Sequence, residues 1–95
     1  MPSPKELKRQ HARAKNVRRE QFKRARNASV RSTVRRLVRR ARTAIDEGDA
    51  AAGEAVRAAQ AALDSAARRG IIPRNAAARR LGRLVKRQRA TEEAA

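Results

Sequence analysis

The chain has no cysteine, no tryptophan and no tyrosine, and Phe22 is the only aromatic side chain in its 95 residues. Without thiols it can form neither a disulfide nor a thiolate metal site. Without aromatics it has few bulky side chains from which to build a core. No run approaches the roughly 18–20 consecutive apolar residues that cross a membrane. The basic N-terminus is followed by no apolar segment of the kind that makes a secretory signal. Arg-rich, acid-poor N-termini also occur in organelle transit peptides, but here the basic pattern runs on into the body of the chain, so a cytoplasmic location is expected. Acids are scarce as well, with nine Asp and Glu against 26 Lys and Arg.

What is present is positive charge, unevenly placed. Residues 1–45 hold 16 bases and two acids, residues 46–65 one base and five acids, and residues 66–95 nine bases and two acids. A net charge of +17 on so short a chain makes a compact state repel itself. Such density makes sense with a polyanion against it. Arg outnumbers Lys 21 to 5. A guanidinium fork suits phosphate and stacks on bases, although a GC-rich genome also favours Arg and Ala codons. Of the hydrophobic residues, 22 are Ala. Alanine forms helices readily but buries little surface, so one small, marginally stable domain is expected.

Ser3, Pro4 and Glu6 read as a helix start: an N-cap, a proline at the first helical position and the acid of a capping box. No Gly or Pro follows until Gly48. The first helix is therefore expected over about residues 4–47, roughly 66 Å long. Asp49 is expected to N-cap a second helix over about 50–69 that ends at Gly70. Ile71 and Ile72 then form a short link, and Pro73 opens a third helix reaching about Arg89. Residues 90–95 are expected to fray. No alternating pattern suggests a strand, so the fold class is all-α.

Apolar residues at helical spacing say how the helices pack. The stripes are Val30, Val34, Leu37, Val38, Ala41 and Ile45 on the first helix, then Ala52, Val56, Ala59, Leu63 and Ala66 on the second. Ala77, Leu81, Leu84 and Val85 complete them on the third. Short connections make a three-helix bundle over residues 28–89, with Ile71 and Ile72 plugging one end. The second helix is less than half as long as the first, so nothing can cover residues 1–27. That segment is expected to project as a basic arm on which Leu7, Val17 and Phe22 make no sustained stripe. Like charges four apart, such as Arg9 with Arg13 and Lys15 with Arg19, weaken its helix by about 0.2–0.5 kcal/mol each. The free arm should fray and become fully helical on its anion.

Nothing in the sequence assembles catalytic chemistry. His11 is the one histidine and sits inside the basic arm, with no acid placed to orient it. Asp46, Glu47 and Asp49 form an acidic cluster without the glycine-bearing loop of a calcium site, and helix capping with local charge balance accounts for them. There is no phosphate-cradling glycine loop and no metal-spaced His pair. No enzyme activity, metal, cofactor or small-molecule substrate is expected.

The bases themselves are the candidate site. Only Glu20 interrupts them between Lys8 and Arg42, whereas ordinary solvated faces mix signs. On the arm the candidates are Lys8, Arg9, Arg13, Lys15, Arg18, Arg19, Lys23 and Arg24. Within the bundle, Arg31, Arg35 and Arg39 lie along one side of the first helix with Arg42, while Arg36 and Arg40 lie beside them. On the third helix Arg79, Arg80 and Arg83 repeat the arrangement with Lys86 and Arg87. Asn27, Ser29 and Ser32 make a small polar patch at the junction. It reads equally as ordinary surface and as a place of close phosphate or ribose approach.

Three blocks carry a family resemblance. They are Asn27 to Ser32 followed by Val34 and Arg35; Ala44 to Asp49; and Ala67 to Ile72 followed by Arg74, Asn75 and Ala77 to Arg79. Together they resemble the bacterial small-subunit ribosomal protein S-twenty family, in order and in spacing, over about residues 4–89. The resemblance implies a three-helix bundle with a long first helix that binds small-subunit (16S) ribosomal RNA directly and early in assembly. It places RNA contacts on Asn27, Ser29, Arg31, Ser32, Arg35, Arg74, Asn75 and Arg79. Where the family often has a His and two Lys, this chain has Pro73, Ala76 and Leu81, with Arg74 and Arg80 close by to supply charge.

The reading that follows is a structural ribosomal constituent, a monomer in the cytoplasmic ribosome beside neighbouring ribosomal proteins. It would bind RNA through phosphates and shape, since one aromatic cannot support extensive base stacking. Charge alone would equally allow a histone-like DNA-compacting protein, and the three blocks favour RNA. A membrane-surface helix would need more Trp, Phe or Leu opposite its charges than residues 4–27 offer.

Overall fold

A computed structural model describes residues 1–94. Three helices, α1 (Pro4–Asp46), α2 (Ala52–Arg68) and α3 (Arg74–Ala94), account for nearly all of them. The fold is an all-α bundle of three helices with no strand among the described residues, and α1 extends far beyond its partners.

α1 begins as its sequence dictates. Ser3 Oγ accepts from the Glu6 amide (3.3 Å), and Glu6 Oε2 accepts from the Ser3 amide (3.2 Å). The reciprocal pair satisfies donors that a helix start leaves open. α1 and α2 end alike. The Gly48 and Asp49 amides donate back to Ile45 and Ala44, and the Gly70 and Ile71 amides to Ala67 and Ala66. Both are Schellman motifs, and both glycines hold positive φ, +64° and +72°. An L residue there would bring Cβ against its own backbone.

Two expected boundaries move. Asp49 does not cap α2: its Oδ1 accepts from the Ala51 amide at 2.8 Å and closes a turn, and the helix starts at Ala52 without a side-chain cap. A side chain that bonds two residues on makes a local turn of its own and delays the helix. α3 continues to Ala94 rather than stopping near Arg89. Residues 90–94 contain no glycine or proline to end it. Residue 95 lies outside the described residues.

The core is small and falls into two linked clusters. Val34, Leu63, Ala66, Ile71, Ile72 and Ala77 form one, nearer the α2–α3 turn. Ala41, Ile45, Val56, Ala59 and Leu84 form the other, toward the α1–α2 turn. Ala44, outside the expected stripe, is also buried. Val30, Leu37, Val38, Ala52 and Leu81 pack against these clusters but stay half-buried, as does Val85. Leu37 therefore contributes less than a core leucine. With only two neighbours, α1 can bury a narrow sector, and Leu37 lies at its edge.

Every residue from Met1 to Arg26 is exposed. The molecule measures 76 × 21 × 13 Å with a radius of gyration of 20.5 Å. A compact chain of this length has a radius near 12–13 Å. The overhang of α1 makes the difference. Among the described residues no helix is long and apolar enough to cross a membrane.

Candidate nucleic-acid interface

Helical geometry first arranges the bases on α1. From Lys8 to Arg24 all are exposed and are spread round the cylinder. One row nonetheless runs along most of the helix. Arg13, Arg24, Arg31, Arg35 and Arg42 recur at spacings of 11, 7, 4 and 7. At 3.6 residues per turn, those spacings keep the set within about 40° of rotation.

The row runs from the arm into a groove between α1 and α3. Arg31 Nη2 donates to the Ile71 carbonyl (3.3 Å) just before α3, and Arg87 pairs with Asp46 at the far end of α1. The two ties set the helices side by side and parallel. Arg35, Arg39 and Arg42 form one wall of the groove, and Arg80, Arg83, Lys86 and Arg87 the other. Val38, Leu84 and Ala90 complete the lining of a space of ≈ 690 Å³. Each wall presents its bases over eight residues, about 10 Å of helix axis. Seven bases converge where helix–helix packing leaves an open trough, and their guanidinium and ammonium groups are of the kind that pair with phosphate.

One acid tempers them. Asp46 accepts from Arg87 Nε at 2.7 Å and from Arg87 Nη2 at 2.8 Å, a bidentate pair with both side chains about half exposed. The hydrogen bonds from Arg87 hold the Asp46 carboxyl below the usual carboxylate range. Slight desolvation opposes the shift, and the charges of Arg87 and Arg42 add to it. Arg87 is shifted upward by the same contact. This is the one ion pair among the described residues.

At the junction of arm and bundle, Asn27 is half-buried. Ser32 Oγ accepts from Arg35 Nη2 at 3.3 Å, and the Ser29 carbonyl accepts from Thr33 Oγ1 at 3.1 Å. Arg31 and Arg35 are thus each steadied by one hydrogen bond, with other N–H groups left over.

The structure gathers only part of the sequence-derived set. Arg35, Arg39, Arg80 and Arg83 meet in the groove. Arg36 lies outside the groove, with Arg40, Glu47 and Asp49 toward the α1–α2 turn. Arg74 lies beside Asp64 and Arg68 on the α2–α3 side. Asn75 and Arg79 are exposed and do not line the groove. Arg42, Lys86 and Arg87, which the sequence aligns with these bases on the two basic faces, complete the groove. The spacing of three and four that aligns them with Arg39 and Arg83 is what the sequence shows of this. Among the described residues no group of three or more His, Asp or Glu is placed to hold a metal.

Fold and site together define a class: a small helical bundle carrying a long cationic rod, with a basic groove where rod and bundle meet. The family described as Ribosomal protein S20 matches residues 9–89 of this chain. The small ribosomal subunit protein bS20 of Anaeromyxobacter sp. strain Fw109-5 is 45% identical over 73 residues, covering 76% of this chain and 81% of that protein. The namesake in Geobacter metallireducens is 42% identical over 73 residues, covering 76% and 84%. That of Bordetella pertussis is 48% identical over 59 residues, covering 61% and 68%. The chain belongs to this ribosomal protein family.

Proposed function

We propose that this chain is a structural constituent of the small ribosomal subunit that binds 16S ribosomal RNA directly and helps it assemble. The arm of residues 1–27 lies along RNA, while the bundle of residues 28–89 anchors it. The observation that supports this most is the continuity of charge: one row of arginines leads from an uncovered rod into a groove walled by seven bases. Arm bases all round the cylinder can meet phosphates from more than one RNA element. Helix rigidity then fixes the distance between those elements, and released counterions drive the association. The residues carrying it are those singled out on α1 and α3, together with Arg42, Lys86 and Arg87. In this reading the protein acts as a monomer beside other ribosomal proteins, in the bacterial cytoplasm, with no catalytic step of its own.

The test is binding to a 16S ribosomal RNA transcript over a range of salt. Log affinity should fall by about 0.7–0.9 per log unit of salt for each phosphate contact. A slope near zero would remove the electrostatic mechanism. Duplex DNA of equal length serves as competitor, and equal preference for it would favour DNA compaction instead. Arg35→Glu should weaken RNA binding while leaving helix content unchanged, because Arg35 is exposed.

A further inference from the structure

The chain's only aromatic side chain is 71% exposed, more than either other large apolar side chain on α1's arm. Phe22 sits in a shallow depression whose remaining lining is Arg18, Arg19, Lys23 and Arg26. Arg18 and Arg26 stand four residues before and after it, so the ring lies between two guanidinium groups whose Cα atoms are about 12 Å apart along the axis. No apolar neighbour shares the site. Leu7 and Val17 lie 15 and five residues away and point about 60° and 140° off the Phe22 direction. A bilayer or a partner helix would require an apolar stripe, which this face lacks.

An aromatic face ringed by cations fits one chemistry well: a flat, unpaired base with a charged phosphate on either side. We infer that Phe22 is a stacking platform for a single nucleobase extruded from the RNA, with Arg18, Arg19 and Arg26 holding the flanking phosphates. This inference rests on the RNA-binding reading and sharpens it. The arm then has one point that selects an unstacked base on a surface otherwise indifferent to sequence. A bulge or loop opposite Phe22, rather than unbroken duplex, sets where along the RNA the rod comes to rest.

The chain has no tryptophan or tyrosine, so Phe22→Trp installs a unique fluorophore at this position. Full-length wild type, Phe22→Trp and Phe22→Ala are titrated with a 16S ribosomal RNA transcript, and wild type and Phe22→Ala also with a fully paired RNA duplex. Alanine is the better helix former, so a loss of affinity in Phe22→Ala cannot come from a weakened helix. Expected on the transcript are quenched emission from Phe22→Trp with affinity retained, and a loss of about 5- to 150-fold in Phe22→Ala. On the paired duplex Phe22→Ala should bind as wild type does. Equal affinity of Phe22→Ala and wild type for the transcript would overturn the stacking role alone. So would emission from Phe22→Trp that stays unquenched when the transcript is saturating. Failure of wild type to bind the transcript would overturn the RNA reading and this inference with it.

Discussion

Residues 5–26 and 30–45 belong to one unbroken helix and are both rich in Arg, yet they are built for different work. The first stretch carries ten bases and no buried side chain; the second carries six bases and still buries Val34, Ala41, Ala44 and Ile45. Charge does not separate them. What separates them is a stripe of apolar residues at spacings of three and four, present in the second and missing from the first. In the bundle half, tertiary packing holds a helix whose charges repel. In the arm, capping and propensity act alone, and only an anion can offset the repulsion.

The sharpest way to break the comparison is to remove one half. Deleting residues 1–26 should lower affinity for 16S ribosomal RNA by about 10²–10³-fold at moderate salt and flatten the salt slope. The melting temperature should stay nearly constant, because no buried side chain is lost. A large drop in melting temperature would mean the arm supports the bundle. The converse variant attacks the bundle. Leu63, fully buried in the first cluster, should cost about 2–5 kcal/mol as Leu63→Ala, enough to unfold much of a marginal domain. Leu37→Ala should cost clearly less, since that side chain is half-buried. Equal costs in denaturant melts would refute the assignment of the core.

Amide exchange sharpens the contrast without mutation. In the free protein, amides of residues 8–26 should exchange at least about tenfold faster than those of residues 34–45. Bound RNA should bring the two closer, and equal protection without RNA would remove the proposed coupling of folding to binding. The smallest effect concerns pH. Asp46 has its carboxyl lowered by Arg87, so its stabilising contribution is present above the unfolded carboxylate value near 3.9. It is lost as pH falls through the lower folded value. Asp46→Asn should abolish that acid-side component of a melting-temperature profile, and an unchanged profile would mean the pair adds nothing measurable. The pair is half exposed, so the change should be slight.

Much of this was legible beforehand because it is local. The Ser3–Glu6 box and the glycines at 48 and 70 act through backbone bonds a few residues long, and each landed where expected. Asp49 misled because two local uses compete for its carboxylate, a cap and a turn, and sequence does not rank them. Leu37 misled because periodicity gives the direction of a face but not its width.

The sequence by itself determined an all-α chain, a long basic first helix and a large net positive charge, since propensity, capping and net charge depend on residue type and near neighbours. Only the tertiary structure decided which bases share a wall. The groove joins residues some 40 positions apart, Arg42 and Asp46 with Arg83 and Arg87. Which face of α3 turns toward α1 follows from how Leu63, Leu84 and Val34 fill the space between three helices, a property of the packed whole that no single helix carries.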